Sequence, residues 1–126
     1  APVIRHAVAE LNPPGNADDL LVAAGLDLDS GKFRAGSVWA AGSTRDLVGL
    51  WWPSAGEEEA RALRGKVDAI CTFMGPDTSV PLLDLDALIR NLKKRGLIAG
   101  IATNDSVASL TAFIDRQGLT GRIEHL

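Results

Sequence analysis

The positions of the apolar residues predict a chain that is helical over most of its length. Near the start, an apolar helical face ends at the cluster 13–15, which contains two prolines and a glycine. A second helix is predicted after Asn16, a residue type that caps helices, and it stops at Gly25. The segment 26–42 is irregular and carries several glycines and aspartates. It is predicted to be a structured loop.

Three further helices are predicted after this loop. Ser43 is a cap for a helix that Pro53 stops, because proline lacks an amide hydrogen and restricts the residue before it. The clearest amphipathic helix spans 57–74, where apolar residues recur three and four positions apart. A loop is predicted at 75–81, and the helix that follows it ends at Gly96.

The pattern changes at 97–102, a short and nearly continuous apolar run. A run of this kind without alternation is typical of a parallel strand that is covered on both faces. A helix over 105–117 follows, and 122–126 is predicted to begin another strand. This order predicts an α/β fold, in which a mostly helical region precedes part of a Rossmann-like parallel sheet. Because two strands do not form a stable sheet alone, the C-terminal third is predicted to belong to a larger core.

Composition narrows the classes of function. With 46% hydrophobic and 23% charged residues, the chain has the composition of one ordinary globular domain. Its net charge of -3 argues against nucleic acid or an anionic membrane surface as a partner. No apolar run is long enough to span a bilayer, no signal-peptide pattern opens the sequence, and the lone Cys71 cannot form an internal disulfide. These features predict a cytoplasmic protein without a membrane partner.

The junction at 100–105 carries the most informative chemistry. Thr103 and Asn104 follow the predicted strand at once and precede a predicted helix. A hydroxyl, an amide and the free backbone N–H groups of a first helical turn can together hold an anion such as phosphate. The alternative is that Thr103 or Asn104 only caps the helix, which is a very common arrangement.

The stretch 91–118, NLKKRGLIAGIATNDSVASLTAFIDRQG, resembles the second conserved motif of the haloacid dehalogenase superfamily, especially its phosphoglycolate-phosphatase-like branch. In that family a helix, a glycine, a hydrophobic strand ending in Thr-Asn and another helix occur in this order. The stretch 23–51 resembles the helical cap of the same branch. The resemblance therefore implies a cap-like region over 1–82 and a partial α/β core over 83–126.

The same resemblance implies a chemistry for the chain. Thr103 matches the family's phosphate-orienting hydroxyl, and Asn104 would offer its backbone N–H and its amide. The implied reaction is hydrolysis of a small phosphorylated metabolite through an aspartyl-phosphate intermediate, with Mg²⁺ offsetting the phosphate charge. The family's Asp-x-Asp-Gly-Thr motif and its later lysine and metal-binding acids have no match here. The chain is thus predicted to be part of a phosphatase, with no catalytic residue and no metal ligand of its own.

The loop 36–43 is the predicted place for substrate selection within the cap. Its glycines permit close approach of the backbone, and Ser37 and Ser43 offer hydroxyls beside the ring of Trp39. The alternative for the tryptophan is a core or interface position, which is common for aromatic residues near a helix end.

Two Asp-x-Asp pairs have to be compared with the family's first motif. Asp84 and Asp86 are better explained as a helix cap and a first-turn carboxylate. Asp27 or Asp29 as the nucleophile of a free-standing enzyme requires a strand at 20–26. The aspartates, serine and glycine of that segment instead favour a turn.

A different class of function is also consistent with the residues. The amphipathic helices could pack against a partner as a non-catalytic binding or dimerisation module, with the Thr-Asn pair serving only as a cap. Apolar faces left open by a truncated sheet would then favour self-association into a homo-oligomer.

Overall fold

Residues 1–124, which this computed structural model describes, form seven α-helices and no β-strand. In chain order the helices are α1 (Pro2–Leu11), α2 (Ala17–Ala24), α3 (Val38–Ala41), α4 (Thr44–Trp51), α5 (Glu57–Thr78), α6 (Leu85–Lys94) and α7 (Val107–Arg116). Leu26 and Phe33 form an isolated antiparallel bridge between α2 and α3. Within this range, no helix combines the length and the apolar character needed to cross a membrane.

The predicted α/β fold with a Rossmann-like core is wrong, because the apolar run 97–102 forms no strand. Leu97 and Ile98 are 52% and 70% exposed, whereas Ala99 is buried. Among the described residues, one backbone hydrogen bond joins this run to the end of the chain, from the Glu124 N–H to the Ala99 carbonyl at 3.1 Å. A strand needs neighbours that pair its donors and acceptors along its length, and residues 1–124 supply no such neighbour to this run.

The second strand was predicted at 122–126. Its described part, 122–124, is also irregular, and residues 125–126 lie outside the described residues. In place of a ladder, the Ala99 N–H donates to the side chain of Glu124 at 3.3 Å. Lys93 lies 3.2 Å from the same carboxylate and holds it in an ion pair. Side-chain contacts thus replace the sheet that the apolar pattern predicted.

Local capping interactions confirm most of the predicted helix ends. Asn16 and Asp84 each accept a hydrogen bond at 2.9 Å from a backbone N–H in the first turn of α2 and α6 respectively. Ser43 and Asp46 form a reciprocal capping box at the start of α4, in which the Ser43 N–H donates to the carboxylate at 2.7 Å. These bonds satisfy donors that the helix itself leaves unpaired.

Helix α5 continues through Pro76, which lies in the segment predicted to be a loop. Pro76 removes one backbone donor, yet hydroxyl groups complete the final turn. The Thr78 hydroxyl donates to the Met74 carbonyl at 3.0 Å, and the Ser79 hydroxyl donates to the Gly75 carbonyl at 2.7 Å. The predicted loop at 75–81 therefore begins only after residue 78.

The buried side chains form two clusters, and α5 contacts α1, α4 and α7 between them. The first cluster is Ile4, Ala7, Val8, Leu21, Ala24, Leu26, Leu47, Val48, Trp51 and Val67. The second cluster is Ile89, Ala99, Leu110, Ile114 and Leu119. The predicted boundary between residues 82 and 83 falls between the two sets, and the division into two domains stays a prediction.

Both aspartates of the Asp84-x-Asp86 pair have structural roles. Asp84 caps α6, and the Asp86 carboxylate pairs with Arg122 and, at 2.9 Å, with Arg90. The hydrogen bond from Arg122 is the main cause that lowers the pKa of Asp86 below its ordinary value. Asp86 therefore fastens α6 to the turn that follows α7.

We expect Asp86→Asn to lower the free energy of unfolding at pH 7 and to make it less sensitive to acid. Because the folded pKa of Asp86 is depressed, its stabilisation is present above the ordinary carboxyl pKa and is lost as the pH falls below about 4. Urea unfolding at pH 7 and pH 3 measures this, and the gap between variant and wild type should shrink in acid. Asp84→Asn is the matched control, because asparagine also caps helices. An equal gap at both pH values would contradict the assignment.

Candidate functional site

A cavity of about 610 Å³ lies where α3, α4, α5 and α7 meet the loop 101–105. Its volume falls in the range of small-molecule pockets, roughly 300–1,000 Å³. Trp39 and Ser43 from the predicted selection loop line it, and so do Thr103 and Asn104 from the predicted phosphate motif. Segments about sixty residues apart in sequence thus contribute to one cavity.

Thr103 does not cap the helix that follows it. Ser106 is the cap of α7 and accepts the Ser109 N–H at 3.2 Å. The Thr103 hydroxyl oxygen instead accepts the Asp105 N–H at 3.1 Å, which closes a tight turn at the cavity. A threonine hydroxyl that accepts one hydrogen bond still has its own hydrogen to donate. Thr103 is therefore exposed, oriented by its turn and able to donate to a ligand oxygen.

Asn104 connects the loop 101–105 to the helices before it. Its side-chain NH₂ donates to the carbonyl of Ala41, the last residue of α3, at 2.6 Å. This bond joins residues 63 positions apart in sequence. The side-chain amide of Asn104 thus holds two walls of the cavity together, and its backbone N–H lies beside Thr103.

The three residues predicted to select the substrate differ in their availability. Ser37 caps α3 by accepting the Ala40 N–H at 3.4 Å, and it is not among the lining residues. Ser43 lines the cavity, but its hydroxyl donates to the Asp46 carboxylate at 2.7 Å in the capping box. Of the three, Trp39 presents the side chain with the most contact area.

Helix α3 is itself a difference from prediction, because 38–41 lies in the segment predicted as a loop. Capping by Ser37 and stacking of Trp39 on Phe33 stabilise this single turn, with the ring centroids 5.7 Å apart and the planes at 19°. Stacking fixes the plane of the Trp39 ring where it borders the cavity.

Asp27 and Asp29 lie in a turn, and no strand precedes them. Helix α2 occupies most of 20–26, where a free-standing enzyme with one of these nucleophiles required a strand. The Asp27 carboxylate accepts the backbone N–H of Ser30 at 2.8 Å and its hydroxyl at 2.9 Å. These hydrogen bonds lower the pKa of Asp27. The structure thus supports the predicted turn and contradicts the strand.

Burial and the nearby carboxylates both raise the pKa of the thiol of Cys71, the single cysteine of the chain. Burial is the main cause that raises the pKa of the Cys71 thiol to about 11, and the charges of Asp68 and Asp105 add to it. A thiol with such a pKa is protonated at neutral pH and is a poor nucleophile. Cys71 and Asp105 both line the cavity, so we assign Cys71 no catalytic role.

Sequence reasoning missed Asp105, Thr44 and Phe113, which also line the cavity. The position of Asp105 directly after the Thr-Asn pair is a signal that could have identified it. Thr44 and Phe113 look like ordinary helix residues in the sequence, so no local signal marks them.

The residues described do not fit a Mg²⁺ site. Within 1–124, no group of three or more histidine, cysteine, aspartate or glutamate side chains lies close enough to hold a metal ion. His125 lies outside the described range. The Mg²⁺ that the resemblance implies was predicted to take its ligands from elsewhere, and it stays a prediction.

Comparison with known proteins found no matching family model, no matching curated protein and no matching solved structure. The likeness to the haloacid dehalogenase superfamily therefore depends on the residues quoted above and stays a prediction.

We expect Asn104→Ala to loosen α3 without unfolding the protein. Removing the donor to the Ala41 carbonyl leaves that acceptor without its side-chain partner, at a cost of about 1 kcal/mol. Amide hydrogen exchange should become faster over 38–42 and stay unchanged in α6. Asn91→Ala, on the exposed surface of α6, is the control for removal of an amide side chain. Unchanged exchange over 38–42 would show that the link does not hold the two walls together.

Proposed function

We propose that the cavity binds a small phosphomonoester, and that this chain supplies the substrate-holding residues of a phosphatase that resembles haloacid dehalogenases. The observation that carries this proposal is the convergence of Trp39 and Ser43 with Thr103 and Asn104 around one cavity of ligand size. Trp39 and Ser43 were predicted from the loop 36–43, and Thr103 and Asn104 from the junction 100–105. Their meeting in space supports a common ligand.

In this proposal the phosphate lies at the turn 103–105. The Thr103 hydroxyl donates to a phosphate oxygen while its own oxygen continues to accept the Asp105 N–H. Asn104 offers its backbone N–H, and its side chain maintains the turn against α3. Hydrogen bonds to a charged oxygen are stronger than those between neutral groups, so each of these two donors would stabilise a bound phosphate.

The rest of the ligand lies against the apolar lining from α3, α4, α5 and α7. Val38, Leu47, Val67, Leu110 and Phe113 contribute to that lining. Such a wall favours a short organic group over a second phosphate, since burying charge against apolar carbon is costly. The proposal assigns no nucleophile. The four aspartates that were compared with the family's first motif, Asp27, Asp29, Asp84 and Asp86, are absent from the cavity lining.

We expect the protein to bind ethyl phosphate, a neutral-chain phosphomonoester, and Thr103→Val to weaken that binding about tenfold through loss of one hydrogen bond to a charged group. Isothermal titration with and without MgCl₂ measures the affinity. Thr103→Ser keeps the hydroxyl and should bind almost as tightly as the wild type.

Thr111→Val is the matched control, because Thr111 is exposed on α7 and does not line the cavity. Two results would refute the proposal. One is the absence of binding for ethyl phosphate and for every other phosphomonoester tested, with or without MgCl₂, and the other is an equal affinity for wild type and Thr103→Val.

A non-catalytic dimerisation module is the second candidate, and exposed apolar side chains favour it. Leu82 is fully exposed, Val80 is 83% exposed and Ile98 is 70% exposed. Contiguous exposed apolar patches mark surfaces that associate, and Val80 and Leu82 lie two positions apart in the chain.

If this second candidate is right, we expect the protein to self-associate as its concentration rises, and Leu82→Glu combined with Ile98→Glu to return it to a monomer. Sedimentation equilibrium measures the mass of both proteins. The pair Glu58→Gln and Glu59→Gln, on the exposed first turn of α5, is a control with the same number of changes. A wild type that is monomeric up to millimolar concentration would exclude this candidate.

A further inference from the structure

The cavity has an unusual charge for a site that holds a phosphate. Among its described lining residues, Asp105 is the one whose side chain is charged at neutral pH, and lysine, arginine and histidine contribute none. Phosphate sites usually use basic side chains to offset the charge of the anion. A ligand bound here therefore meets a carboxylate where a basic group would be expected.

A second carboxylate lies directly behind the lining. The Thr44 hydroxyl, which lines the cavity, donates to Asp68 at 2.7 Å in a partly buried hydrogen bond. The charges of Asp68 and Asp105 both act on the Cys71 thiol, which also lines the cavity. Two carboxylates on different elements, α5 and the loop before α7, thus act on the same part of the cavity.

Aromatic rings complete a surface suited to a cation. Trp39 and Phe113 both line the cavity, and stacking on Phe33 fixes the plane of the Trp39 ring. The face of an aromatic ring attracts an ammonium group, with tryptophan the strongest of the natural side chains. A carboxylate and two aromatic rings are thus part of the lining of the cavity whose turn 103–105 offers donors to a phosphate.

Resting on the proposed function, we propose that the cavity selects a phosphomonoester that carries its own ammonium group, that is, an aminoalkyl phosphate. The phosphate lies at the donors of Thr103 and Asn104, and the ammonium group lies at Asp105 and the aromatic rings. The positive charge of the ligand itself then offsets the carboxylate, which a phosphate with an acidic tail cannot do.

Three probes of similar size test this selectivity by isothermal titration of the full chain at pH 7. They are O-phosphoethanolamine with a cationic tail, ethyl phosphate with a neutral tail and 2-phosphoglycolate with an anionic tail. We expect O-phosphoethanolamine to bind about tenfold more tightly than 2-phosphoglycolate, the effect of one charge-assisted hydrogen bond. Asp105→Asn should bring the two affinities together, whereas Asp29→Asn, in the exposed turn at 27–31, should leave their ratio unchanged.

The outcomes separate this inference from the proposed function. If 2-phosphoglycolate binds as tightly as O-phosphoethanolamine, and Thr103→Val weakens both, the ammonium selectivity is overturned and the phosphate site stands. If none of the three probes binds, the phosphate site and the selectivity are both overturned. If Asp105→Asn leaves the ratio of affinities unchanged, the selectivity does not come from this cavity and the inference is overturned.

Discussion

Burial of the apolar side of α5 is the constraint on which the rest of the structure depends. Val67 in its middle is 1% exposed, and the helix contacts α1 and α4 on one side and α7 on another. Helix α5 is 22 residues long; Val67 belongs to the first buried cluster, and α7, which α5 contacts, contributes Leu110 and Ile114 to the second. The hydrophobic effect drives such burial without regard to direction, so this one helix can organise partners from both ends of the sequence.

The cavity forms where α5 packs between helices from the first half of the chain and α7. Cys71, Gly75 and Pro76 come from the C-terminal half of α5 and form part of the lining. Helices from the first half of the chain border them on one side, and α7 and its preceding loop border them on the other. The hydrogen bond from Asn104 to Ala41 then joins these two borders directly. A site at the meeting of two cores can combine groups that neither core could supply alone.

Two features of this site have opposite effects on the binding of a simple anion. The turn at 103–105 presents hydrogen-bond donors, which attract a phosphate, while Asp105 in the same turn repels it. The proposed aminoalkyl phosphate, which carries both signs of charge, would resolve this opposition.

The sequence by itself determined six of the seven described helices, all but α3, and most of their ends. Asn16, Ser43 and Asp84 act through bonds to backbone groups two or three residues away, and interactions of that range can be read from local spacing. The sequence also identified Trp39 and Thr103 as candidate site residues. It did not predict the residues that orient them, Phe33 and Asp105.

Only the tertiary structure decided the state of the apolar run 97–102 and the position of the site. A run of apolar residues indicates that burial is favourable. Whether the run becomes a strand depends on partners with free backbone groups, and these can lie anywhere in the chain. Here Ala99 bonds to the backbone N–H and to the side chain of Glu124, and no ladder forms among the described residues. Contacts such as Asn104 to Ala41 depend on how helices pack, and no local pattern encodes a bond across 63 positions.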